Sequence, residues 1–383
     1  MRLSADWLHL PGTGAVMTAL TRGGHGAWFV GGCVRNSLLG QPVSDIDITT
    51  DARPERVIAL AEAAGIKAVP TGIEHGTVTL VADHRPYEIT TLRRDVTTDG
   101  RRATIAFTDR LEEDAARRDF TMNALYADAG GHVIDPTGEG LADLAARRLR
   151  FIGAPEDRIH EDYLRILRFF RFHAWYADPE SGLDPEGLAA CAAGLDGLDR
   201  LSRERVGAEM KKLLAAPDPA PAVAAMAQTG VLMRCLPGAD ARLLPILVAL
   251  ETTPPDPIRR LAALGGNDVA DRLRLSRAEA ARLATLRDEM GTATPPAALA
   301  YRYGAEIARD IVVLRAALFE TPPDDGAEAQ IAKGAAAEFP VKPADLIPRL
   351  QGPALGAALK QMETRWIASG FALTREQLIG DHG

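Results

Sequence analysis

The chain has 383 residues and a formal net charge of −8, with 46% hydrophobic and 25% charged residues. These proportions are typical of soluble proteins, and the length predicts two or three domains with a sizeable core. The longest apolar run, residues 243–250, is too short to span a bilayer, and no basic and apolar leader opens the chain, so we expect a cytoplasmic protein without membrane association.

The first predicted element is a short apolar strand that ends in two glycines. Residues 29–35 (Phe-Val-Gly-Gly-Cys-Val-Arg) read as strand, turn and helix start, and Asp45 follows ten residues after Arg35. On a second strand, Asp45 and Asp47 share a face because strand side chains alternate. Close carboxylates repel unless a cation lies between them, which indicates Mg²⁺ bound with substrate phosphates. Gly32 lets the backbone approach a phosphate, and Arg35 can reach a phosphate oxygen.

A plain turn and a solvated strand end would explain each of these pieces taken alone, because short motifs often match by chance. Their combination, and their order along the chain, favour the phosphate site. Phosphoryl transfer needs both parts, since metal ions neutralise the leaving pyrophosphate and backbone N–H groups at a helix start hold phosphates.

The next signals predict a small mixed sheet within an α+β domain. Strands are predicted at 28–30, 45–49, 77–82 and 87–92, with a helix at 53–64 and a turn at 83–86. Glu88 lies on the fourth predicted strand. It either faces solvent or joins the two aspartates as a third carboxylate, and both interpretations are open.

An acidic run at residues 112–114 precedes the segment Arg-Arg-Asp-Phe-Thr-Met-Asn at 117–123. The acidic residues suit a helix N-terminus, where negative charge is favourable. Arg118 and Asp119 would form a surface ion pair if the segment were only structural. The alternative places Arg118 on a triphosphate and Asn123 on a sugar hydroxyl or on the backbone.

Residues 160–171 carry the most informative chemical pattern. Apolar residues at helical spacing predict a helix with one packed face. Asp162 and Arg165 are three residues apart, as are Arg168 and Arg171, so they form two adjacent pairs along one side of that helix.

The first of these pairs matches particular nucleotide bases. An ionised Asp only accepts hydrogen bonds, whereas Arg only donates them. Asp162 and Arg165 therefore complement the amino donor and ring-nitrogen acceptor of cytosine and adenine. Guanine and uracil present the reverse arrangement and would leave polar groups unpaired. An exposed salt bridge is the alternative, but its position after a predicted nucleotide-transfer domain favours base recognition.

Strand signals end near residue 141. The rest of the chain is rich in Ala, Leu and Arg, with helical periodicity broken at 178–179, 216–219 and 253–255. It contains no clear repeat and no His-Asp dipeptide. We therefore predict a succession of helices without a metal-dependent phosphohydrolase domain.

Four ordered motifs resemble class II CCA-adding tRNA nucleotidyltransferases, to which bacterial poly(A) polymerases are closely related. They are Gly-Gly-Cys-Val-Arg-Asn at 31–36, Asp-Ile-Asp at 45–47, Arg-Arg-Asp-Phe-Thr-Met-Asn-Ala-Leu at 117–125 and Glu-Asp-Tyr-Leu-Arg-Ile-Leu-Arg at 161–168. The resemblance covers roughly residues 27–175. It implies a polymerase β-like nucleotidyltransferase head with a small mixed sheet at 1–145, an all-α neck with base recognition at 146–206, and a helical body and tail that bind tRNA at 207–383.

The resemblance also implies roles for individual side chains. Asp45 and Asp47 match residues that hold Mg²⁺, and Glu88 matches a third catalytic carboxylate. Asp162 and Arg165 match a protein template for C and A. The further residues that match nucleotide contacts are Gly32, Arg35, Arg118, Arg168 and Arg171.

Three other features belong to the comparison with this family. The segment 93–107, rich in Arg, Thr and Gly, resembles a flexible loop associated with the change from C to A addition. Asn36 stands where Asp is more usual, and His160 stands where Arg is frequent. Neither departure removes a metal-ligand or template residue.

The resemblance implies addition of C, C and A to the 3′ end of tRNA without a nucleic-acid template. CTP and ATP would be the substrates, pyrophosphate the product and Mg²⁺ the cofactor, with no protein partner predicted. A poly(A) polymerase, a partial enzyme that adds only C or only A, and a non-catalytic RNA-binding protein are the alternatives.

Overall fold

A computed structural model describes residues 1–99, 102–322, 324–347 and 350–380. The chain divides into two compact units, Met1–Cys235 and Leu236–Gly383. The first unit contains the sheet and every candidate site residue, and the second is helical in the ranges described.

The strands of the first unit are β1 (Ala27–Val30), β2 (Asp47–Thr50), β3 (Lys67–Gly72), β4 (Thr77–Ala82), β5 (Arg85–Thr91), β6 (Arg93–Asp99), β7 (Arg102–Phe107), β8 (Tyr126–Ala127) and β9 (Val133–Ile134). Its helices are α1 (Pro11–Arg22), α2 (Gly32–Leu38), α3 (Pro54–Ala63), α4 (Leu111–Ala116), α5 (Gly140–Ala145), α6 (Pro155–Glu161), α7 (Leu164–Tyr176), α8 (Pro185–Ala193), α9 (Arg203–Leu214), α10 (Ala220–Gln228) and α11 (Val231–Cys235). Short 3₁₀ turns lie at Asp6–His9, Ile73–His75, Thr121–Asn123, Pro179–Ser181 and Leu195–Arg200.

The sheet has the order β3-β4-β5-β2-β1-β8-β9, and only the β2–β5 pair is parallel among its described strands. The predicted mixed sheet, followed by helices, is therefore confirmed. In the parallel pair, Asp47 lies opposite Glu88 and Ile48 lies opposite Ile89. Ile48 and Ile89 are buried, and the alternation of strand side chains directs them away from the face that carries the two carboxylates.

Three details differ from the predicted elements. Strand β2 begins at Asp47, so Asp45 precedes the strand instead of lying on it. Strand β3 was not predicted. Its side chains are exposed or half-buried, and Pro70 interrupts the alternation of polar and apolar residues by which a strand is recognised. The segment 93–107, expected as a loop, forms a hairpin of β6 and β7, and its residues 100 and 101 lie outside the described ranges.

The helix predicted across residues 160–171 is also interrupted. Helix α6 ends at Glu161 and α7 begins at Leu164, with Asp162 between them in extended backbone at φ −153° and ψ 105°. The expectation that Asp162 and Arg165 lie on one continuous helix is therefore wrong. A 3.6-residue apolar period continues across a two-residue break, so periodicity alone did not reveal it.

An aromatic cluster fixes α7 against the segment that follows α4. Phe120 packs on Phe172 with ring centroids 5.1 Å apart, and Phe151 stacks on Phe169 at 5.5 Å. All four side chains are buried. Because Phe120 directly follows the Arg-Arg-Asp motif, this packing sets the position of that motif relative to α7.

The second unit contains α12 (Leu243–Leu250), α13 (Pro257–Leu264), α14 (Val269–Arg272), α15 (Arg277–Met290), α16 (Pro296–Tyr303), α17 (Ala305–Leu318), α18 (Ala327–Ala335), α19 (Gly352–Ala368), α20 (Arg375–Gly380) and a 3₁₀ turn at Pro343–Asp345. Buried ion pairs join its helices: Arg259 pairs with Glu251 and Asp310, each at 2.8 Å. Over the described part of the chain, no helix combines the length and apolar character needed to cross a membrane.

Candidate active site

Three carboxylates meet at the β2–β5 pair. Asp47 faces Glu88 across the parallel register, and exposed Asp45 lies two residues before β2. Burial, then the charges of Glu88 and Asp45, raise the pKa of Asp47 to about 6, against a smaller opposing effect of Arg118. The structure thus places Asp47 opposite Glu88, and both Glu88 and Asp45 lie within electrostatic reach of Asp47.

This donor set fits a divalent cation. Negative charge on Asp47 is unfavourable beside two other carboxylates, and a cation would offset it. Carboxylate oxygens are the protein ligands that Mg²⁺ prefers, and Mg²⁺ commonly uses one or two of them together with substrate phosphates. Among the described residues, no group of three or more His, Cys, Asp or Glu side chains is arranged to hold a metal unaided. A metal here would therefore need oxygens from a bound triphosphate or water.

Cys33 packs directly behind this site. Its thiol lies 3.5 Å from the carbonyl oxygen of Val30 and 3.7 Å from that of Asp47. Burial raises the pKa of Cys33 to about 12, so the thiol stays neutral. It is a packing residue that joins the start of α2 to β2.

The Gly-Gly turn leads from β1 into α2 as predicted. Gly31 precedes the helix at φ +70°, a backbone conformation that favours glycine, and its N–H donates to the carbonyl of Leu125. A Cβ on Gly32 would meet only the guanidinium of Arg35, at 3.9 Å. The conformational need for glycine therefore falls on Gly31, which the sequence had not distinguished, while Gly32 leaves open space beside Arg35.

Arg118 is held by a buried carboxylate on the preceding helix. Asp114 is fully buried and accepts from Arg118 at 2.9 and 3.1 Å, from Arg117 at 2.7 and 2.9 Å and from the Tyr126 hydroxyl at 2.8 Å. Although burial acts to raise it, Arg118 and Arg117 hold the pKa of Asp114 well below its ordinary value. The alternative of a surface ion pair between Arg118 and Asp119 is not what the structure shows, because Arg118 pairs with Asp114.

Replacing Asp114 with asparagine is expected to lower the free energy of unfolding by about 3 kcal/mol at pH 7, because two arginines lose a buried counter-charge. Because the pKa of Asp114 is lower in the folded than in the unfolded state, its ionisation stabilises the fold at pH values above the unfolded-state pKa of about 3.9. This contribution is lost as the pH falls towards the folded-state pKa. Urea denaturation at pH 7 and pH 3 measures both effects. Glu112→Gln, in an exposed pair with Arg110, is the control, and an equal change in the two variants would contradict the prediction.

Arg35, a buried residue of α2, contacts the end of α7. It donates to Asn123 Oδ1, to Asn36 Oδ1 at 2.8 Å and to the Tyr176 hydroxyl at 2.8 Å. Its guanidinium carbon lies 3.9 Å from the centre of the Tyr176 ring and 5.1 Å from that of Phe172. None of these partners carries a negative charge, so the positive charge of Arg35 is compatible with an anionic ligand.

Two further arginines lie near Arg35. Burial, and the positive charges of Arg171 and Arg168, lower the pKa of Arg35 despite favourable effects of Tyr176 and Asp119. Three predicted nucleotide-contacting arginines, Arg35, Arg168 and Arg171, therefore gather in one region. Asp119 and Glu209 pair with Arg168 and Arg171, so Arg35 is the member of this cluster whose charge is most open to an anionic ligand.

Buried Asp119 connects the head segment to α7. It accepts from Asn123 Nδ2 at 2.9 Å and from both Nε and Nη2 of Arg168, with the Nε contact at 2.7 Å. Burial favours the neutral acid, but Arg168 and the Asn123 amide outweigh it and lower the pKa of Asp119 to about 2. Because Asn123 also accepts from Arg35, one chain of hydrogen bonds joins Arg35 to Arg168. Asn123, one of the open assignments, here positions other side chains.

Asp162 and Arg165 have separate partners. Asp162 accepts from the Leu164 N–H at 3.1 Å and from Arg205 at 2.7 Å. Arg165 donates to Glu161 at 2.5 Å and to the carbonyl oxygens of Arg158 and Arg117. The alternative interpretation, an exposed salt bridge between Asp162 and Arg165, is not found among the contacts of these described side chains, and other residues position both of them. Arg171, in turn, donates to Glu209 at 2.5 Å.

Two family models match this chain. The model described as "Poly A polymerase head domain" matches residues 27–150, and "Probable RNA and SrmB- binding site of polymerase A" matches residues 182–243. Human CCA tRNA nucleotidyltransferase 1, mitochondrial, is 42% identical over 191 residues, which are 50% of this chain and 44% of the human protein. The CCA-adding enzyme of Streptococcus pyogenes is 43% identical over 204 residues, 53% of this chain and 49% of that enzyme. The chain thus spans about half the length of these relatives.

A solved structure extends the likeness over nearly the whole chain. The CCA-adding enzyme of Bacillus stearothermophilus, determined in complex with CTP, is 30% identical and has a TM-score of 0.77, with 92% of this chain and 91% of that chain covered. This chain belongs to the class II CCA-adding enzyme family. The CCA-adding enzyme of Thermotoga maritima complexed with tRNA, 18% identical with a TM-score of 0.69, shares the fold.

Several side chains that hold this family member's candidate site were not singled out from the sequence. The acidic run predicts Asp114 only as part of a helix start, although its spacing of four residues from Arg118 is typical of an ion pair. Tyr176 and Glu209 reach the site from 141 and 38 residues away in sequence, and no local pattern signals such contacts.

Proposed function

We propose that this chain adds C, C and A to the 3′ end of tRNA, using CTP and ATP and releasing pyrophosphate. The observation that carries the proposal is the parallel register of Asp47 with Glu88, beside Asp45 and within electrostatic reach of Arg118. The names of the similar proteins, and the CTP complex of the Bacillus stearothermophilus enzyme, support the same reaction.

In this proposal, Asp45 and Asp47 hold Mg²⁺ and Glu88 is the third catalytic carboxylate. When bound, Mg²⁺ would favour ionisation of the attacking 3′ hydroxyl and offset charge on the triphosphate. Glu88 adds negative charge next to Asp47, which strengthens attraction for the cation. The 3′ oxygen of tRNA forms a bond to the α-phosphorus of the nucleotide as the bond to the departing pyrophosphate breaks.

The arginines orient the nucleotide. Arg118, fixed by Asp114 and close enough to affect the pKa of Asp47, would bind triphosphate oxygens near the carboxylates. Arg35 would bind a phosphate or sugar oxygen beside the open space at Gly32. Holding the nucleotide in a fixed position relative to the attacking hydroxyl supplies much of the rate enhancement in such reactions.

Base selection would rest on the start of α7. Asp162 would accept from the amino group of cytosine or adenine, and Arg165 would donate to the adjacent ring nitrogen. Arg168 and Arg171 would contact the nucleotide farther along the helix. Because Arg165 already donates to Glu161 and two carbonyl oxygens, its guanidinium is oriented before a base arrives, which reduces the entropy cost of binding.

The remaining assignments complete the proposal. Residues 1–145 form the nucleotidyltransferase head and 146–206 the neck, and the helices of 207–383 hold the tRNA. The protein acts in the cytoplasm without a membrane or protein partner.

Sequencing the products made from tRNA, tRNA-C and tRNA-CC with CTP, ATP or both tests this proposal. We expect tRNA to gain CCA, tRNA-C to gain CA and tRNA-CC to gain a single A, with no extension from UTP or GTP. Long A tracts on arbitrary RNA would instead indicate a poly(A) polymerase. Addition of only C or only A would indicate a partial enzyme, and no addition with intact tRNA binding would indicate a non-catalytic protein.

A further inference from the structure

Helix α9 supplies ionic partners to two side chains at the proposed base site. Arg205 Nη2 lies 2.7 Å from Asp162 Oδ2, and Glu209 Oε2 lies 2.5 Å from Arg171 Nε. Arg205 and Glu209 are four residues apart, so they lie on the same face of α9. That face therefore lies against α7 and its N-terminal break.

Asp162 depends on such partners because of where it lies. It falls between α6 and α7, in extended backbone, so regular helical geometry does not set the direction of its side chain. Two donors set it instead. The Leu164 N–H holds Oδ1 at 3.1 Å, and Arg205 holds Oδ2 at 2.7 Å.

The carboxylate nevertheless keeps acceptor capacity. An ionised carboxylate has about four lone-pair sites, and the two contacts to Leu164 and Arg205 use two of them. The side chains of Asp162 and Arg205 are 31% and 36% exposed, so neither is enclosed by protein. An amino group of a base can therefore bind Asp162 while Arg205 stays in place.

We propose that Arg205 is a positioning residue for base selection, which holds the Asp162 carboxylate in the orientation that accepts the amino group of cytosine or adenine. This inference rests on the proposed function. Without Arg205, the carboxylate can rotate about the Cα–Cβ and Cβ–Cγ bonds and pair with water. A base with a carbonyl at the same position then suffers a smaller penalty relative to one with an amino group.

The test compares Arg205→Gln and Arg205→Lys with the unmodified chain. The measurement is the ratio of kcat/KM for CTP to that for UTP on tRNA lacking CCA, together with the Kd of each nucleotide in the absence of tRNA. We expect Arg205→Gln to lower the CTP-to-UTP preference roughly tenfold, both in kcat/KM and in nucleotide affinity. This factor is the size expected for one misplaced polar contact. Arg205→Lys keeps the charge but not the planar fork, and we expect an intermediate value.

Two further variants separate positioning from a general structural effect. Lys212→Gln removes a positive charge from an exposed position of the same helix and is expected to leave the ratio unchanged. In an Asp162→Asn background, Arg205→Gln should have no further effect on selectivity, because the two side chains act as one unit. If the double variant lost selectivity by the product of the two single-variant losses, the inference would be overturned.

The outcomes also distinguish this inference from the proposed function. If the unmodified chain adds CCA but Arg205→Gln keeps the wild-type ratio, the role of Arg205 is refuted and the function stands. Equal losses for CTP and UTP with a lowered Tm would show that Arg205 only stabilises the fold, which also refutes it. If the unmodified chain adds no nucleotide, yet binds CTP more tightly than UTP and loses that preference in Arg205→Gln, the proposed reaction is refuted and the positioning role of Arg205 stands.

Discussion

Replacing Asp47 with asparagine is expected to slow nucleotide incorporation by about a thousandfold, with little change in the fold. A metal ion at a phosphoryl-transfer site is worth several kcal/mol of charge stabilisation, and about 4 kcal/mol corresponds to this factor. Asparagine keeps the size of the side chain and removes the charge that would attract the cation. Single-turnover incorporation of CTP into tRNA lacking CCA measures the effect.

The pH dependence of cation binding gives a second measurement on the same residue. Burial and the neighbouring Glu88 and Asp45 raise the pKa of Asp47 to about 6 in the metal-free protein. Below that pH the folded protein binds a proton at Asp47, and a divalent cation must displace it. We expect calorimetric Mg²⁺ affinity to rise between pH 5 and pH 7, and Asp47→Asn to flatten this rise.

A matched control lies on the same sheet. Asp83 is exposed in the turn between β4 and β5 at φ +50°, a conformation that asparagine also tolerates. Asp83→Asn should therefore leave incorporation and cation affinity unchanged. If Asp47→Asn incorporated CTP at the rate of Asp83→Asn, the assignment of Asp47 to the metal site would be refuted.

The sequence was informative where a function depends on neighbours along the chain. The Gly-Gly turn, the helix that follows it and the strand of Glu88 were predictable because each is a local pattern of turn residues or alternation. The parallel register that places Glu88 opposite Asp47 was not predictable. It depends on which strands pair across the sheet, and the two carboxylates lie 41 positions apart in the sequence.

The break before α7 was missed for a different reason. No Pro or Gly marks residues 162–163, and the apolar period of Tyr163, Leu167 and Phe170 fits one helix. The Asp162 side chain accepts a hydrogen bond from the Leu164 N–H. Asp side chains commonly compete in this way with the backbone hydrogen bonds of a helix. The break matters for the proposed base selection, since it takes Asp162 off the helix surface.

The hydrogen-bond network around Asp119 connects α2 and the segment after α4 to helix α7. Asp119 binds Arg168 on α7 and Asn123 in the head, and Asn123 binds Arg35. Arg35 in turn rests on Tyr176 at the end of α7. Buried and half-buried polar contacts thus join Arg35 to Arg168, two of the arginines proposed to bind the nucleotide, and buried polar groups are expensive to leave unpaired.

Replacing Asp162 with alanine is expected to reduce discrimination between CTP and UTP about a hundredfold, while kcat/KM for CTP falls about tenfold. The loss is unequal because Asp162 does two things. In the proposed role it accepts from the cytosine amino group and repels the uracil carbonyl through their lone pairs, and each effect is worth about 1–3 kcal/mol. Alanine removes both effects, whereas the triphosphate contacts that bring either nucleotide to the site remain. Competition assays with mixed CTP and UTP, followed by product sequencing, measure the ratio directly.

The control for this variant is Asp157→Ala, which removes an exposed carboxylate from α6 close to the same break. It should change neither the ratio nor kcat/KM, because interactions of a solvent-exposed charge such as Asp157 are weak. An Asp162→Ala enzyme that slowed with CTP but still rejected UTP as before would show that the carboxylate serves catalysis or folding and not base selection. Base selection would then have to come from Arg165 and the arginines farther along α7, and the orientation imposed by Arg205 would have no consequence for specificity.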